Sequence, residues 1–243
     1  MNWVLIQKLF PTYPRNAGNP AQKTLNSFEE LKKFITDSNS KNRVFCSVYS
    51  ARQEIDKVWM EFDENPFENM VKLHNYLLQR SFKHIINFSG RGFHVWMPTD
   101  KKPLQNPKAA ITGFQNFLEQ ASGCQMDRQR KGVVATLATV PTTFNVKRKK
   151  WAIWLSQKDI DSGHEFIQDK AATEPEGSPE FFGTQNIDLS SFDKDPEANH
   201  INLFVSEENT LKIKTDNLLQ KLSPCVATLL VNLKELDSSY NER

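Results

Sequence analysis

The feature that most constrains the fold is the segment 87–96, an apolar run that breaks at a Ser-Gly-Arg-Gly tetrapeptide and then resumes. This pattern predicts two strands joined by a tight turn, because glycine gives the backbone the freedom that such a turn needs. The N–H groups of the turn can face an anion, and a serine hydroxyl and an arginine add donors for phosphate oxygens. The candidate phosphate-binding residues are Ser89, Gly90, Arg91, Gly92 and His94. The other interpretation is an ordinary hairpin in which His94 is only packed.

A pair of acids on one strand is the second constraint. The alternation in Lys57–Asp63 predicts a strand on which Glu61 and Asp63 share a face with Trp59. Two neighbouring carboxylates are the hard oxygen ligands that Mg²⁺ or Mn²⁺ takes when it is bound to phosphate. The alternative is a solvated strand face, since most charged side chains are exposed. The large apolar neighbours of these acids favour the metal site.

The remaining pattern alternates helices with strands and indicates a mixed α+β chain. A capping box at Ser27 opens the first predicted helix, and prolines open two of the others. The predicted helices cover residues 28–37, 66–82, 107–121 and 157–172. The predicted strands cover residues 43–50, 57–63, 84–88, 93–97 and 151–155.

Positive charge is concentrated between residues 127 and 150, which contain seven of the 31 basic residues. Asp127 begins this segment, followed by three basic residues and an apolar stretch. The segment ends in the run Lys147, Arg148, Lys149 and Lys150. Such a run can bind a triphosphate or follow a template strand, and Trp151 or Trp154 can stack bases. The alternatives are a solvated strand end and tryptophans that belong to the core.

Composition narrows the class of protein. With 243 residues, 38% of them hydrophobic, the chain can build a sizeable core. No apolar run approaches the roughly 18 residues that span a bilayer, and the N-terminus lacks the pattern of a secretory signal. Three cysteines without a CxxC motif argue against a disulfide framework or a zinc site. We therefore expect an intracellular, cytoplasmic globular protein without a membrane partner.

A change in composition marks a domain boundary. Residues 173–199 carry seven carboxylates and one lysine, together with proline, glycine and serine, as in a solvated connector. Residues 1–172 would form the main domain. Residues 200–243 would form a small, mainly helical segment with a short strand at 201–205 and a helical stretch at 217–236 that is interrupted at 223–225.

Three of these motifs, taken in order, resemble those of the archaeo-eukaryotic primases and primase-polymerases. The first is Val58-Trp-Met-Glu-Phe-Asp63, and the second is Phe88-Ser-Gly-Arg-Gly-Phe-His-Val-Trp96. The third is Asp127 with Pro141 and Asn145-Val-Lys147. The segment Val48-Tyr-Ser50 with Arg52 also looks like the primase small subunit. The resemblance covers roughly residues 43–160, and its second motif is the most specific part.

The resemblance implies an α+β fold in which two small, mostly antiparallel sheets, flanked by helices, form an active-site cleft. It implies a DNA primase or primase-polymerase that adds NTPs or dNTPs to a 3′-hydroxyl on a single-stranded DNA template with two Mg²⁺ or Mn²⁺ ions. The implied metal ligands and catalytic residues are Glu61, Asp63 and Asp127. The implied nucleotide-binding residues are Ser89, Gly90, Arg91, Gly92, His94, Asn145 and Lys147. The implied nucleic-acid-binding residues are Arg52, Arg148, Lys149 and Lys150.

The sequence departs from the family pattern in three places. Glu61 stands where aspartate is more usual, and its extra methylene moves the carboxylate outward. Asn145 stands where histidine is common, so a phosphate contact there keeps hydrogen bonds but no positive charge. The cysteine-rich zinc module of primase small subunits has no counterpart, which indicates a plasmid-, virus- or repair-type relative. A noncatalytic primase-like subunit and a metal-dependent nuclease are the alternative functions.

The end of the chain resembles a different primase component. Ser223-Pro-Cys225, followed by an apolar stretch, resembles the start of the helical domain of primase large subunits, where a cysteine binds an iron–sulfur cluster. One cysteine cannot hold a cluster within this chain. We therefore expect the chain to be part of a larger protein, with a helicase or a primase accessory subunit or domain as a further partner.

Overall fold

A computed structural model describes residues 1–18, 21–52, 54–100, 102–176 and 178–193. These residues lie in one compact unit that spans Met1–His200. The strand and helix predicted after residue 200, and the last six residues of the predicted connector, lie outside the described residues. In the described part of the chain, no helix is long and apolar enough to span a membrane.

Four antiparallel strands form the central sheet. They are β4 (Lys57–Phe62), β5 (Ile85–Phe88), β6 (Phe93–Pro98) and β10 (Ile153–Trp154), in the order β10-β5-β6-β4. Glu61 lies opposite His94, and Phe62 lies opposite Phe93. Because side chains alternate along a strand, Glu61 and His94 share one face while Phe62 and Phe93 share the other.

Two amphipathic helices pack against the central sheet and against each other. They are α3 (Pro66–Gln79) and α4 (Pro107–Ser122), each with a proline in its first turn as predicted. Phe67 of α3 packs against Phe93, with the two ring centroids 5.9 Å apart. Helix α4 ends at Gly123, whose φ of 70° gives a left-handed C-terminal cap.

A second antiparallel sheet is formed by three early strands and one strand from later in the chain. It has the strand order β2-β1-β3-β7, and its strands are β1 (Arg15–Ala17), β2 (Lys23–Leu25), β3 (Phe45–Ser47) and β7 (Leu137–Thr139). Helix α1 (Trp3–Leu9) precedes this sheet, and helix α2 (Phe28–Ser38) packs on β2. Ser27 caps α2 by accepting from the backbone N–H of Glu30, so the predicted capping residue is confirmed.

A buried ion cluster lies where the second sheet meets the start of β4. Arg15 is fully buried and donates to the carbonyls of Ser47 and Val48, while Asp56 pairs with both Arg15 and Lys57. Burial lowers the pKa of Lys57 to about 8, and the Asp56 charge opposes that shift. Two cations therefore share one carboxylate at this end of β4.

The predicted helix at 157–172 is wrong in one respect, because it is two helices. Helix α5 (Gln157–Asp161) ends at Ser162, and α6 (Gly163–Lys170) begins after it. Gly163 has a φ of 88°, a conformation that interrupts helical hydrogen bonding. Upstream, β8 (Phe144–Asn145) and β9 (Lys150–Trp151) form a small hairpin, so the predicted strand at 151–155 is divided between β9 and β10.

The described part of the acidic segment packs on the folded body. Its buried apolar side chains are Phe182, Ile187, Leu189 and Phe192. Both carboxylate oxygens of Asp193 accept backbone N–H bonds from residues 105 and 106, just before α4. Residues 178–193 are thus not solvated throughout, because apolar residues at intervals within the acidic sequence reach the core. The domain boundary at 173–199 stays a prediction.

The buried pair His74 and His84 predicts how stability depends on pH. The two rings share a hydrogen bond of 2.9 Å, and His84 Nδ1 donates to the Phe82 carbonyl. Burial lowers the pKa of His84 to about 4. The unfolded chain therefore binds a proton between pH 6.5 and 4 that the folded chain does not, so the free energy of unfolding falls as pH falls. The loss from this residue should total about 3 kcal/mol and then level off.

Urea unfolding at pH 7 and pH 5 measures about 2 kcal/mol of this loss, because pH 5 lies above the pKa of the folded state. The variant His84→Gln keeps polar groups for both partners but does not titrate, so its stability should fall less over the same interval. An equal fall in wild type and variant would contradict the assignment.

Candidate functional site

The three predicted carboxylates meet at one end of the central sheet. Glu61 is the penultimate residue of β4, and Asp63 follows the last one. The backbone N–H of Asp127 donates to the Glu61 carbonyl at 2.9 Å, which brings the third acid to the same strand end. Burial raises the pKa of Asp63, and the charges of Glu61 and Asp127 raise it further. The acids therefore form a group of mutually repelling charges.

Cationic side chains contact two of these acids. The carboxylate of Glu61 lies 3.3 Å from His94 Nε2 through one oxygen and 3.3 Å from Arg130 Nε through the other. Burial alone would raise the pKa of Glu61, but the His94 hydrogen bond and the His94 and Arg130 charges bring it below its usual value. Asp63 Oδ2 lies 3.5 Å from Arg91 Nη1. The contacts with Arg130 and Arg91 partly neutralise the negative charge of the three acids.

The chemistry of these three acids fits a hard divalent cation, since each offers carboxylate oxygens. In the described residues, however, no three histidine, cysteine, aspartate or glutamate side chains lie close enough to hold one ion. Arg130 and Arg91 occupy the positions beside Glu61 and Asp63. The residues that would hold Mg²⁺ or Mn²⁺ are thus gathered at one place, and their arginine partners would have to withdraw.

The predicted glycine-rich turn lies directly beside the acids. The backbone N–H of Ser89 donates to the Gly92 carbonyl at 2.8 Å, and the N–H of Gly92 donates to Ser89 Oγ at 3.2 Å. A Cβ on Gly92 would lie 2.2 Å from the Phe62 carbonyl oxygen and 2.6 Å from Asp63 Oδ1. Only glycine permits this approach.

Two donors of the turn remain available. In the part of the chain that the structure describes, the backbone N–H groups of Gly90 and Arg91 donate to no acceptor. The Arg91 side chain is more than half exposed, and the Ser89 hydroxyl donates back to the Gly92 carbonyl. These groups supply the N–H donors and positive charge of an anion site, although the serine hydroxyl is used inside the turn.

His94 is packed and also contacts the acid group. Its side chain is 1% exposed, and its ring lies against that of Trp59, with centroids 5.0 Å apart. Nε2 faces Glu61, whereas Nδ1 is buried without a hydrogen-bond partner among the described residues. The structure thus directs His94 at a carboxylate, and its contact with a phosphate stays a prediction.

The basic run forms the tip of the β8–β9 hairpin. Lys147, Arg148 and Lys149 are exposed, and Lys149 has a φ of 53°, typical of a tight turn. Lys150 Nζ instead donates to the Gln168 carbonyl at 2.6 Å and anchors the hairpin to α6. At the base of the hairpin the rings of Phe144 and Trp151 pack edge to face. Three of the four predicted cations are therefore free to meet an anionic partner.

Arg52 lies apart from the acids, beside the start of β4. It is exposed and lines a cavity of about 500 Å³ with Asp56, at the start of β4. At about 3.3 Å per strand residue, the seven steps from Asp56 to Asp63 span about 23 Å. A contact between Arg52 and nucleic acid would therefore occur well away from the acid group.

Arg43 is a candidate that the sequence did not single out. Burial lowers its pKa, as do the nearby charges of Arg148 and Arg91, while Glu61 and Asp63 act in the opposite direction. Its Nε is buried with no hydrogen-bond partner among the described residues, and its guanidinium lies 4.4 Å from the centre of the Phe45 ring. Arg43 thus joins Arg91 and Arg130 as a third arginine whose charge interacts with the acids. The sequence signal for Arg43 is weak, since it is only an arginine two residues before the buried strand β3.

Comparisons with known proteins give no family for this chain. No model of a protein family matches the sequence, and no curated protein matches it significantly. The class of protein therefore rests on the site itself: three acids, a glycine-rich turn with free N–H donors, and several guanidinium groups at one end of an antiparallel sheet.

Proposed function

We propose that the protein is a template-dependent nucleotidyltransferase of the primase or primase-polymerase type, with the corresponding fold. The observation that carries the proposal is the meeting of Glu61, Asp63 and Asp127 with the Ser89–Gly92 turn at one strand end. These motifs are separated in the sequence by up to 66 positions, from residue 61 to residue 127. If the turn were an ordinary hairpin and the acids an ordinary strand face, nothing would require these motifs to lie together.

Each group of residues has a role in this proposal. Two divalent ions, when bound, activate the attacking 3′-hydroxyl and neutralise the charge that develops on the triphosphate. Glu61, Asp63 and Asp127 would hold those ions, and the incoming triphosphate would draw Arg91 away from Asp63. Arg43 and the free N–H groups of the turn would bind the same phosphates. The positions of these donors would hold the nucleotide in line for attack.

The hairpin of residues 144–151 would bind single-stranded DNA template and primer through its exposed cations. Its half-buried aromatic pair, Phe144 and Trp151, gives the tip a rigid base. A helicase or a primase accessory subunit or domain would complete the replication assembly in the intracellular setting that the sequence indicates. Because the sequence has no counterpart of the cysteine-rich zinc module, the protein would serve the replication of a plasmid or a virus, or DNA repair.

A noncatalytic subunit is the second candidate function, and one observation favours it. Glu61 and Asp63 are paired with arginines, and the described residues hold no group of three metal ligands. Such a subunit would bind nucleotide or single-stranded nucleic acid without chemistry. In the enzyme, metal binding would have to displace both arginines from the acids, whereas a noncatalytic subunit would not require Arg130 to leave Glu61.

The test is the fate of an end-labelled DNA primer annealed to a longer template, incubated with NTPs or dNTPs in Mg²⁺ or Mn²⁺. The enzyme would lengthen the primer, a nuclease would shorten it, and a noncatalytic subunit would leave its length unchanged while shifting its mobility. No extension under any of these conditions would contradict the proposed activity. Omitting the primer shows in addition whether synthesis can begin unprimed.

Removing two cations at the hairpin tip should weaken nucleic-acid binding. Lys147→Ala combined with Arg148→Ala should lower the affinity for single-stranded DNA, because each phosphate contact releases bound counterions. The slope of log affinity against log salt should become less steep by about 0.7 for each phosphate that the variant no longer neutralises. Fluorescence anisotropy at several salt concentrations measures this slope.

The paired control is Lys33→Ala with Lys41→Ala, two exposed lysines in the middle of α2 and just after its end. These changes remove the same charge from the protein but should leave the slope as it is in wild type. An unchanged slope in the hairpin variant would mean that the basic run is only a solvated strand end and does not contact the DNA.

A further inference from the structure

Asn145 joins the basic hairpin to the glycine-rich turn. Its side chain is buried, with 2% of the residue exposed. Nδ2 donates to the Ser89 carbonyl at 3.2 Å, and Oδ1 accepts from the backbone N–H of Arg148 at 3.3 Å. Both ends of one amide are therefore committed, one to the turn and the other to the hairpin tip.

Close packing strengthens this connection. A Cβ on Gly90 would lie 3.0 Å from Cβ of Asn145 and 3.2 Å from its Nδ2. The φ of Gly90 is 88°, so the turn reaches this position in a conformation that glycine adopts readily. The turn thus packs directly against the Asn145 side chain, and a side chain at position 90 would be crowded by it.

The other strand of the hairpin is fixed by a different route. After β9 the chain enters β10, where Ile153 lies opposite Phe88, the residue before the turn. One strand of the hairpin is thus attached to the turn through the sheet, and the other through the Asn145 amide. Among the described residues, the Asn145 amide makes the hydrogen bond that joins β8 to the turn.

We propose that Asn145 is a positioning residue that holds the basic hairpin in a fixed register with the Ser89–Gly92 turn. This inference rests on the proposed function, in which the turn binds phosphates and the hairpin binds nucleic acid. An anion that orders the turn then also orders the hairpin through Asn145, so the two ligands are coupled. The amide acts through the turn and the hairpin, and its own polar atoms need no contact with the nucleotide.

The test measures coupling between inorganic tripolyphosphate and a short single-stranded DNA in metal-free buffer. Tripolyphosphate has no base, so base pairing with the DNA cannot produce coupling. The DNA affinity is measured with and without saturating tripolyphosphate, in wild type and in Asn145→Leu, which has a similar shape and no amide. The DNA affinity with tripolyphosphate divided by the DNA affinity without it should be larger in wild type than in Asn145→Leu by about fivefold or more. Repulsion between the two anions is common to both proteins and cancels in this comparison.

Asn39→Leu is the matched control. Asn39 Oδ1 accepts from the backbone N–H of Phe144 at 2.7 Å, so it holds the same strand, and it makes no hydrogen bond to the turn in the described part of the chain. This variant should keep the wild-type ratio. Equal ratios in wild type and Asn145→Leu, with both ligands bound, would overturn the positioning role and leave the proposed function intact. Failure of wild type to bind either ligand would overturn the proposed function and this inference with it.

Discussion

Asp127→Asn should reduce nucleotide incorporation by about a thousandfold, which corresponds to about 4 kcal/mol of lost transition-state stabilisation. In wild type, Asp127 Oδ1 accepts a hydrogen bond of 2.9 Å from the backbone N–H of Gln129. The asparagine side chain has an oxygen that can accept the same bond, so the local turn should remain. The negative charge that a divalent cation requires is lost. Asp63→Asn should have a similar effect, because it removes a second ligand of the same group.

Stability separates this result from simple unfolding. Because the charge of Asp127 raises the pKa of Asp63, removing it relieves repulsion, and the melting temperature should stay the same or rise. The control is Asp37→Asn, an exposed carboxylate at the far end of α2 that pairs only with Lys33 among the described residues. Near wild-type incorporation by Asp127→Asn would contradict its role as a metal ligand, whatever the effect of Asp63→Asn.

Gly92→Ala should abolish most activity by displacing the turn from the acids. Its new methyl group would overlap the Phe62 carbonyl oxygen at 2.2 Å and the Asp63 carboxylate at 2.6 Å. Either the turn or the end of β4 must move, and a displacement of about 1 Å in a catalytic arrangement typically costs about a hundredfold in rate. Overpacking of this kind should also lower the free energy of unfolding by about 1–3 kcal/mol.

Steady-state incorporation and urea unfolding measure the two effects separately. Gly123→Ala is the comparison, because a Cβ there would meet nothing within 4 Å and would cost only the strain of a positive φ. It should lose some stability and retain activity. If Gly92→Ala lost no more activity than Gly123→Ala, the turn would not be part of the site.

Local patterns anticipated the elements that surround the site. The alternation around Glu61 and the glycines after Phe88 placed β4, β5, β6 and their connecting turn within a residue or two. The prolines gave the first residues of α3 and α4, but α3 ends at Gln79, three residues before the predicted end. These signals are strong because each depends on neighbouring residues alone.

Most of the second sheet could not be anticipated in this way. Its strands have three residues each, too few to show an alternation, and only β3 falls within a predicted strand. Burial of Arg15 in this sheet is equally hidden, because it depends on carbonyls more than 30 positions away. The break before Gly163 was missed because the apolar spacing on either side fits one continuous helix.

Within the candidate site, the sequence identified the acids and the turn but not their partners. The contacts of Glu61 with Arg130 and of Asp63 with Arg91 join different elements, so spacing along the chain gives no sign of them. The same reason explains why Arg43 was overlooked and why Asn145 was assigned only to the nucleotide. Its two hydrogen bonds become visible only when the turn and the hairpin are in place.

The central claim is that one site joins nucleotides under the direction of a template. Pyrophosphate release provides the most direct measurement, using a primed homopolymer DNA template, one nucleotide at a time, in Mg²⁺ or Mn²⁺. We predict release with the complementary nucleotide, little with the other three, and none after Asp127→Asn. Release that does not depend on which nucleotide is complementary, or no release with any of the four, would contradict the claim.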